Sequence, residues 1–128
     1  MRLLLDTHVL VWTISDSRRL SVAARKLLGD PDNELLCSVV SLWELAIKYS
    51  LRPAEIILDP RLLRRELLDN GFIELDVTGE HAVAIGQLPP LHKDPFDRLL
   101  VAQSLVEGIT LVTADPRVAQ YPGPVRRI

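Results

Sequence analysis

The sequence predicts an α/β fold, with a central, mainly parallel sheet of about five strands and helices on both of its faces. Two observations carry that expectation. Short apolar runs alternate with helix-patterned stretches from one end of the chain to the other, and strands that alternate with helices are joined by right-handed crossovers into parallel sheets. Helix-start and helix-stop residues also fall between the runs, where element boundaries are needed.

Taken in order, residues 2–5 (Arg2-Leu3-Leu4-Leu5) read as the first strand and 7–14 as the helix after it. Ser21, the segment Val22 to Leu28 and Gly29 read as cap, amphipathic helix and terminator over 21–29. A second strand is expected at 34–38 and a helix at 41–51. Asp59-Pro60 opens a leucine- and arginine-rich helix at 60–70, which Asn70-Gly71 closes. A strand at 72–77 and a helix at 78–87 follow, and Leu88-Pro89-Pro90-Leu91 breaks the chain before a helix at 95–107. Residues 109–113 form the next strand, with 125–127 a candidate fifth. There is no internal repeat and no low-complexity tract.

With 128 residues, 48% of them hydrophobic and 25% charged, the chain is expected to be a single domain, residues 1–128. That length buries roughly two-thirds of the unfolded surface without help from disulfides. The net charge of −2 makes no global electrostatic case for nucleic acid, although local basic patches remain open. The only cysteine, Cys37, lies in the apolar segment 34–38. It excludes an intramolecular disulfide and a cysteine-cluster metal site, and reads as a small buried hydrophobe. Near the amino terminus the apolar run is only Leu3-Leu4-Leu5, far short of a secretory segment, and no stretch approaches the ~18 apolar residues of a membrane span. A cytoplasmic, soluble protein with no membrane partner is the expectation.

Four acids fall where strands hand over to helices, and ligands of open α/β sheets bind outside the carboxyl ends of the strands. Asp6 follows the first strand, Glu44 lies in Ser41-Leu42-Trp43-Glu44, Asp97 in Asp94-Pro95-Phe96-Asp97, and Asp115 after Leu111-Val112-Thr113. Each also has a purely structural explanation. Asp6 can cap helix 7–14. Ser41-x-x-Glu44 matches a capping box. Asp94-Pro95-x-Asp97 is a complete helix start with Asp94 as the cap, and Asp115-Pro116 suits a turn.

Capping does not require four caps to share one sheet edge. Like charges a few ångströms apart raise one another's pKa and oppose folding unless something positive intervenes, and no lysine or arginine is obviously placed to do so, although Lys93 and Arg98 are near. A divalent cation answers that repulsion economically. Oxygen-only ligands favour Mg²⁺ or Mn²⁺ over zinc, and such ions support phosphodiester hydrolysis. The histidines do not point to a zinc site: His92, in the loop before Lys93-Asp94, can touch the acids but reads rather as solvated or structural, and His8 and His81 read as packing residues. The six glycines form neither G-x-x-x-x-G-K nor G-x-G-x-x-G, and no G-x-S-x-G elbow is present. A phosphotransfer receiver is also unsupported, since adjacent acids after the first strand and a lysine after a late strand are lacking.

Leu3-Leu4-Leu5-Asp6-Thr7-His8, Ser41-Leu42-Trp43-Glu44-Leu45-Ala46-Ile47-Lys48, His92-Lys93-Asp94-Pro95-Phe96-Asp97-Arg98 and Leu111-Val112-Thr113-Ala114-Asp115 together resemble PIN-domain ribonucleases, and among them the VapC-type toxins of toxin–antitoxin systems. The resemblance spans essentially the whole chain. It implies a PIN-like three-layer sandwich around a five-stranded parallel sheet, a Mg²⁺- or Mn²⁺-dependent endoribonuclease, and a cognate antitoxin seated in the active-site groove. A homodimer is also implied. Asp6, Glu44 and Asp97 match the three core acids, Asp115 the more variable fourth, and Thr7 and Thr113 small polar positions beside the metal. His8 stands where many members carry Asn, and Asp94 is an extra acid expected to cap or support Asp97.

For the substrate, Arg18-Arg19, Arg25-Lys26, Lys48, Arg52, Lys93 and Arg98 are candidate phosphate contacts that compete with solvated faces and ion pairs. Arg98 is also placed to hold a neighbouring carboxylate. Trp12 and Trp43 can stack bases, or serve as core or interface residues. Helix 60–70 and Ile56-Ile57-Leu58 offer apolar surface to a second subunit, an antitoxin or the core. A catalytically silent interaction module is the alternative function, disfavoured because all four acids are present.

Overall fold

The protein's structure, a computed structural model, describes residues 1–55 and 58–128. Five strands, β1 (Arg2–Leu5), β2 (Glu34–Ser38), β3 (Ile73–Leu75), β4 (Thr110–Thr113) and β5 (Val125–Arg127), form one sheet in the order β3-β2-β1-β4-β5. Every neighbouring pair is parallel. The helices are α1 (Thr7–Ile14), α2 (Val22–Gly29), α3 (Val39–Leu51), α4 (Pro60–Asp69), α5 (Gly79–Ala84) and α6 (Pro95–Glu107), with single 3₁₀ turns at Pro53–Glu55, Ile85–Gln87 and Val118–Gln120. None of the described helices is long and apolar enough to cross a membrane.

The strands are nearly all apolar because the sheet is covered on both faces. Side chains alternate along β1, so Leu3 and Leu5 enter one core while Leu4 enters the other. The first core packs Leu3, Leu5, Cys37 and Val112 against α1, α2 and α4 through Val9, Leu10, Leu28, Leu63 and Leu67. The second packs Leu4, Leu36 and Leu111 against α6 and the 118–120 turn through Leu100, Val101, Val118 and Tyr121. Helix α3 serves both, with Val40 in one and Leu45 in the other. Cys37 is buried as expected, and burial pushes its thiol up to about 11.

Strand β3 is shorter than expected, Ile73–Leu75 rather than 72–77, and two helices shift by a few residues, each for a visible reason. Helix α3 begins at Val39 rather than near 41, because β2 runs into it without a loop and Ser38, the last strand residue, is its cap, accepting from the Val40 N–H at 3.0 Å. Helix α5 stops at Ala84 instead of reaching 87, and the chain tightens into the 3₁₀ turn that contains Gly86. The other caps fall where the sequence puts them: Ser21, Asp59 and Asp94 each accept from a first-turn backbone N–H. At the far end of α6, Gly108 takes the left-handed conformation (φ 65°) that closes the helix.

The order of the strands fixes where a ligand can sit. From β1 the chain builds outward through β2 and β3, then returns to the other side of β1 to place β4 and β5. The switch point is therefore between β1 and β4. Asp6 leaves the end of β1 there, its N–H bonded to Val112 O at 3.0 Å, and Asp115 lies just past β4. A buried bond from Ser38 Oγ to Gln103 Oε1 at 2.6 Å ties the start of α3 to α6.

Leu4→Ala should cost about 2–5 kcal/mol of unfolding free energy, since Leu4 is 0% exposed on the central strand. Val22→Ala, at 85% exposure on α2, should change it by less than about 0.5 kcal/mol. Urea denaturation of both variants checks the pair.

Candidate active site

Asp6 has two duties in the fold. As the cap of α1 its Oδ1 accepts from the Val9 N–H at 3.0 Å, and its Oδ2 accepts from the Thr113 hydroxyl. The residue is 4% exposed, and burial raises its pKa despite the two bonds that favour the anion. Thr113 in turn accepts from the Asp115 N–H at 3.0 Å, so one hydroxyl at the end of β4 fixes both the β1 acid and the segment carrying Asp115.

Glu44 sits in the second turn of α3, and its carboxylate is not part of a capping box. With Ser38 as the cap, Ser41 lies inside the helix, and Glu44 Oε1 accepts from Thr7 Oγ1 at 2.8 Å across the cleft from α1. Thr7 Oγ1 also lies 2.9 Å from Ser41 Oγ. Lys48, one turn on, pairs with Glu44 Oε2. The sequence reading found no fixed cation for the acids, yet Lys48 is one, at the i,i+4 spacing that favours a Glu-to-Lys pair.

Asp97 projects from the first turn of α6. His92 Nε2 lies 2.9 Å from its Oδ2. Burial pushes Asp97 up to about 6, with Asp94, Glu44 and Asp6 acting in the same direction and the His92 hydrogen bond opposing them. Asp94 is the cap of α6, its Oδ1 accepting from the Phe96 and Asp97 N–H groups at 2.8 and 3.3 Å. One ligand atom from each of His92, Asp94 and Asp97 lies within 4.8 Å of the other two.

Asp115 is the outlying member. Burial acts upward on it, but the Arg117 N–H at 2.8 Å and the Arg117 guanidinium, whose Nε is 3.6 Å away, together hold it below the ordinary carboxylate value. The Asp115 charge acts upward on Asp6, and the Glu44 and Asp6 charges act upward on Asp97. The centre of negative charge is thus at Asp6 and Asp97. Glu44 and Asp115 are each offset by a long cationic side chain.

Several residues behave differently from their sequence reading. Arg98 is half-buried and pairs with no carboxylate among the described residues: its guanidinium bonds the carbonyls of Ile85, Pro89 and His92 and the Tyr121 hydroxyl. His92, read as solvated or structural, touches the site. His8, read as packing, is exposed on α1, whereas His81 is 1% exposed and completes a capping box with Thr78. Trp43 is 56% exposed and meets Phe96 edge-on at 5.1 Å. Trp12 is half-buried beneath Arg19. Arg25 is engaged with Asp16, and Arg52 with Glu55 at 3.8 Å; Lys93 is exposed. Helix α4 buries Leu63 and Leu67 and exposes Leu62 and Leu68, while Ile56 and Ile57 lie outside the described residues.

Chemically, the donor set facing the cleft is oxygen-rich, anionic and partly desolvated, with two carboxyl groups held above their ordinary pKa. Such a set suits a hard divalent cation, which would relieve both the burial cost and the mutual repulsion.

A family model described as PIN domain matches residues 3–124. Ribonuclease VapC22 of Mycobacterium tuberculosis is 32% identical over 125 residues, which cover 95% of each chain. Among solved structures, a chain of VapBC2 from Rickettsia felis, bound to a DNA fragment from its promoter, superposes with a TM-score of 0.72 at 19% identity, covering 99% of this chain and 98% of that one. A chain of DNA-bound VapBC from Salmonella typhimurium does so with a TM-score of 0.67 at 19% identity over the same shares. At those identities the structural likeness speaks for the fold, and the sequence match for descent. By the extent of both, the chain belongs to the PIN-domain family.

Proposed function

We propose that this protein is a divalent-metal-dependent endoribonuclease, the toxin of a toxin–antitoxin pair. What supports the reading is that Asp6 at the end of β1 and Glu44 in α3 lie near enough to Asp97, in the first turn of α6, to push its pKa up, while Asp115 follows β4 beside the switch point. Relatedness to Ribonuclease VapC22 over 95% of the chain supports RNA as the substrate class.

Asp6, Glu44 and Asp97 would hold Mg²⁺ or Mn²⁺, with Asp115 closing the outer side. When bound, such an ion neutralises phosphate charge and lowers the pKa of water. The chain's own contribution is orientation. Val9 N–H and Thr113 fix Asp6, Thr7 fixes Glu44, and His92 fixes Asp97. Lys48 limits the net charge so that the cluster can form in the folded protein before any ion arrives. Exposed Lys93, beside the acids in sequence, is a phosphate contact in this reading.

The cognate antitoxin has a place to bind. A groove of about 480 Å³ runs from Thr7 and Lys48 along Val11, Trp12, Leu45 and Leu63, apolar over most of its length; Thr7 and Lys48, which both bond Glu44, join it to the acids. An antitoxin segment with apolar side chains would fill it, and a cationic extension beyond Thr7 would reach the acids. The exposed Leu62 and Leu68 on α4 give a homodimer its apolar surface.

Asp6→Asn and Asp97→Asn should each reduce cleavage of single-stranded RNA in Mn²⁺ by at least about 100-fold, while leaving circular dichroism unchanged. Metal-free Asp97→Asn should be more stable than the wild type at neutral pH by on the order of 1 kcal/mol, after allowance for solvent screening, and Asp6→Asn should shift stability in the same direction. Undiminished cleavage by both would refute the assignment.

The pH dependence of metal-free stability has a definite sign. Asp97 is raised from the ordinary 3.8 to about 6 on folding, and Asp6 is raised as well, so the folded state binds more protons in that window than the unfolded state. Their favourable contribution is fully present below the unfolded value and is lost as pH rises through the folded one. Melting temperature without metal should therefore fall between about pH 4 and pH 6 on account of these groups, and saturating Mn²⁺ should raise it most at the upper end. Differential scanning calorimetry with and without Mn²⁺ checks both trends.

A further inference from the structure

We propose that Arg98 and Tyr121 are positioning residues that act on the acidic cleft through His92, holding the Asp97 carboxylate in its binding orientation. The inference rests on the reading above that Asp97 is a metal ligand. It assigns a role to residues outside the acid set.

The segment between the 85–87 turn and α6 has no regular structure and contains Pro89 and Pro90, so its carbonyls need partners from elsewhere. Arg98 supplies them. Nη2 donates to Ile85 O at 3.2 Å, and Nη1 reaches Pro89 O at 3.0 Å, His92 O at 3.4 Å and the Tyr121 hydroxyl at 3.1 Å. Tyr121, 3% exposed in the second core, uses its hydroxyl fully: it accepts from the His92 N–H at 3.0 Å and from Arg98, and donates to His92 O at 3.3 Å. Tyr121 therefore grips both backbone polar groups of His92, and Arg98 shares the carbonyl.

Anchoring the loop accounts for Arg98 and Tyr121 but not for the imidazole. The ring, 10% exposed, leaves the loop and brings Nε2 to 2.9 Å from Asp97 Oδ2. Asp97 and Arg98 are adjacent on one helical turn, so the contacts close a ring: helix to loop through Arg98, loop to carboxylate through His92, carboxylate back to helix. A carboxylate already restrained in this way loses less conformational freedom when it takes up a ligand. Partners that orient a metal ligand in this manner typically change affinity or activity by about 10–100-fold when removed.

The experiment combines Mn²⁺ titration calorimetry, RNA cleavage and thermal unfolding on the full chain. His92→Ala and Tyr121→Phe should each weaken Mn²⁺ binding by about 10-fold or more and lower cleavage in step. His92→Gln, which returns a side-chain N–H near the position of Nε2, should recover most of the lost affinity. Tyr121→Phe keeps the buried ring and removes only the hydroxyl, so it decides the matter if His92→Ala does not fold. Variants that melt earlier yet bind Mn²⁺ and cleave RNA like the wild type would show that the contacts serve stability alone, and overturn the proposal. So would an inert His92→Gln beside a weakened His92→Ala. A wild-type protein that neither binds Mn²⁺ nor cleaves RNA would instead bring down the nuclease reading on which the proposal stands.

Discussion

Desolvated negative charge at the carboxyl end of a parallel sheet is the constraint around which the rest of the site is arranged. Asp6 is fixed there by the fold, as the last turn-out of the central strand and the cap of the helix after it. Its carboxylate lies between β1 and β4, where two halves of the chain diverge and leave a crevice. Any further acid brought to that crevice raises the cost, and burial already lifts Asp6 and Asp97 above the ordinary carboxylate range. A protein that keeps such a cluster must compensate it locally or bind something positive.

Local compensation is unequal, and the inequality is informative. Glu44 has Lys48 and Asp115 has Arg117, each a cation on a long, partly exposed side chain. Asp97 has His92. Among the described residues Asp6 is bonded by a hydroxyl and a backbone N–H, which orient the carboxylate without neutralising it. Negative charge is therefore least compensated next to the central strand, deepest in the cleft. The short polar residues Thr7, Ser41 and Thr113 do the orienting because they are small enough to be buried beside the acids and carry no charge of their own. Ser38 and Gln103 extend this buried polar framework from the end of β2 to α6, so the helices bearing Glu44 and Asp97 are tied to each other as well as to the sheet.

Much of this was legible in the sequence because it is local. The apolar runs around Leu4, Leu36 and Leu111 announce strands, and Asp94-Pro95 announces the start of α6. Ser41-x-x-Glu44 misled because the pattern of a capping box is met wherever Ser and Glu stand three apart, while the actual cap, Ser38, is hidden inside the strand pattern when β2 meets α3 without a loop. Lys48 was visible at four residues from Glu44 and carried the right charge, but spacing alone did not tell an exposed lysine from the partner of a buried acid. The grip of Tyr121 on His92 joins residues 29 apart in sequence and depends on the path of an irregular loop. No periodicity encodes it. Arg98 shows the same limit, since next to Asp97 in sequence it faces carbonyls in space.

Joint binding of a divalent cation by Asp6, Glu44 and Asp97 is best tested by anomalous diffraction at the manganese edge, from crystals of the protein grown with Mn²⁺. A peak is expected in contact with carboxylate oxygens of both Asp6 and Asp97, in the crevice between β1 and β4. A peak confined to His92 and Asp94 away from Asp6, or no peak in crystals that bind Mn²⁺ elsewhere, would contradict it.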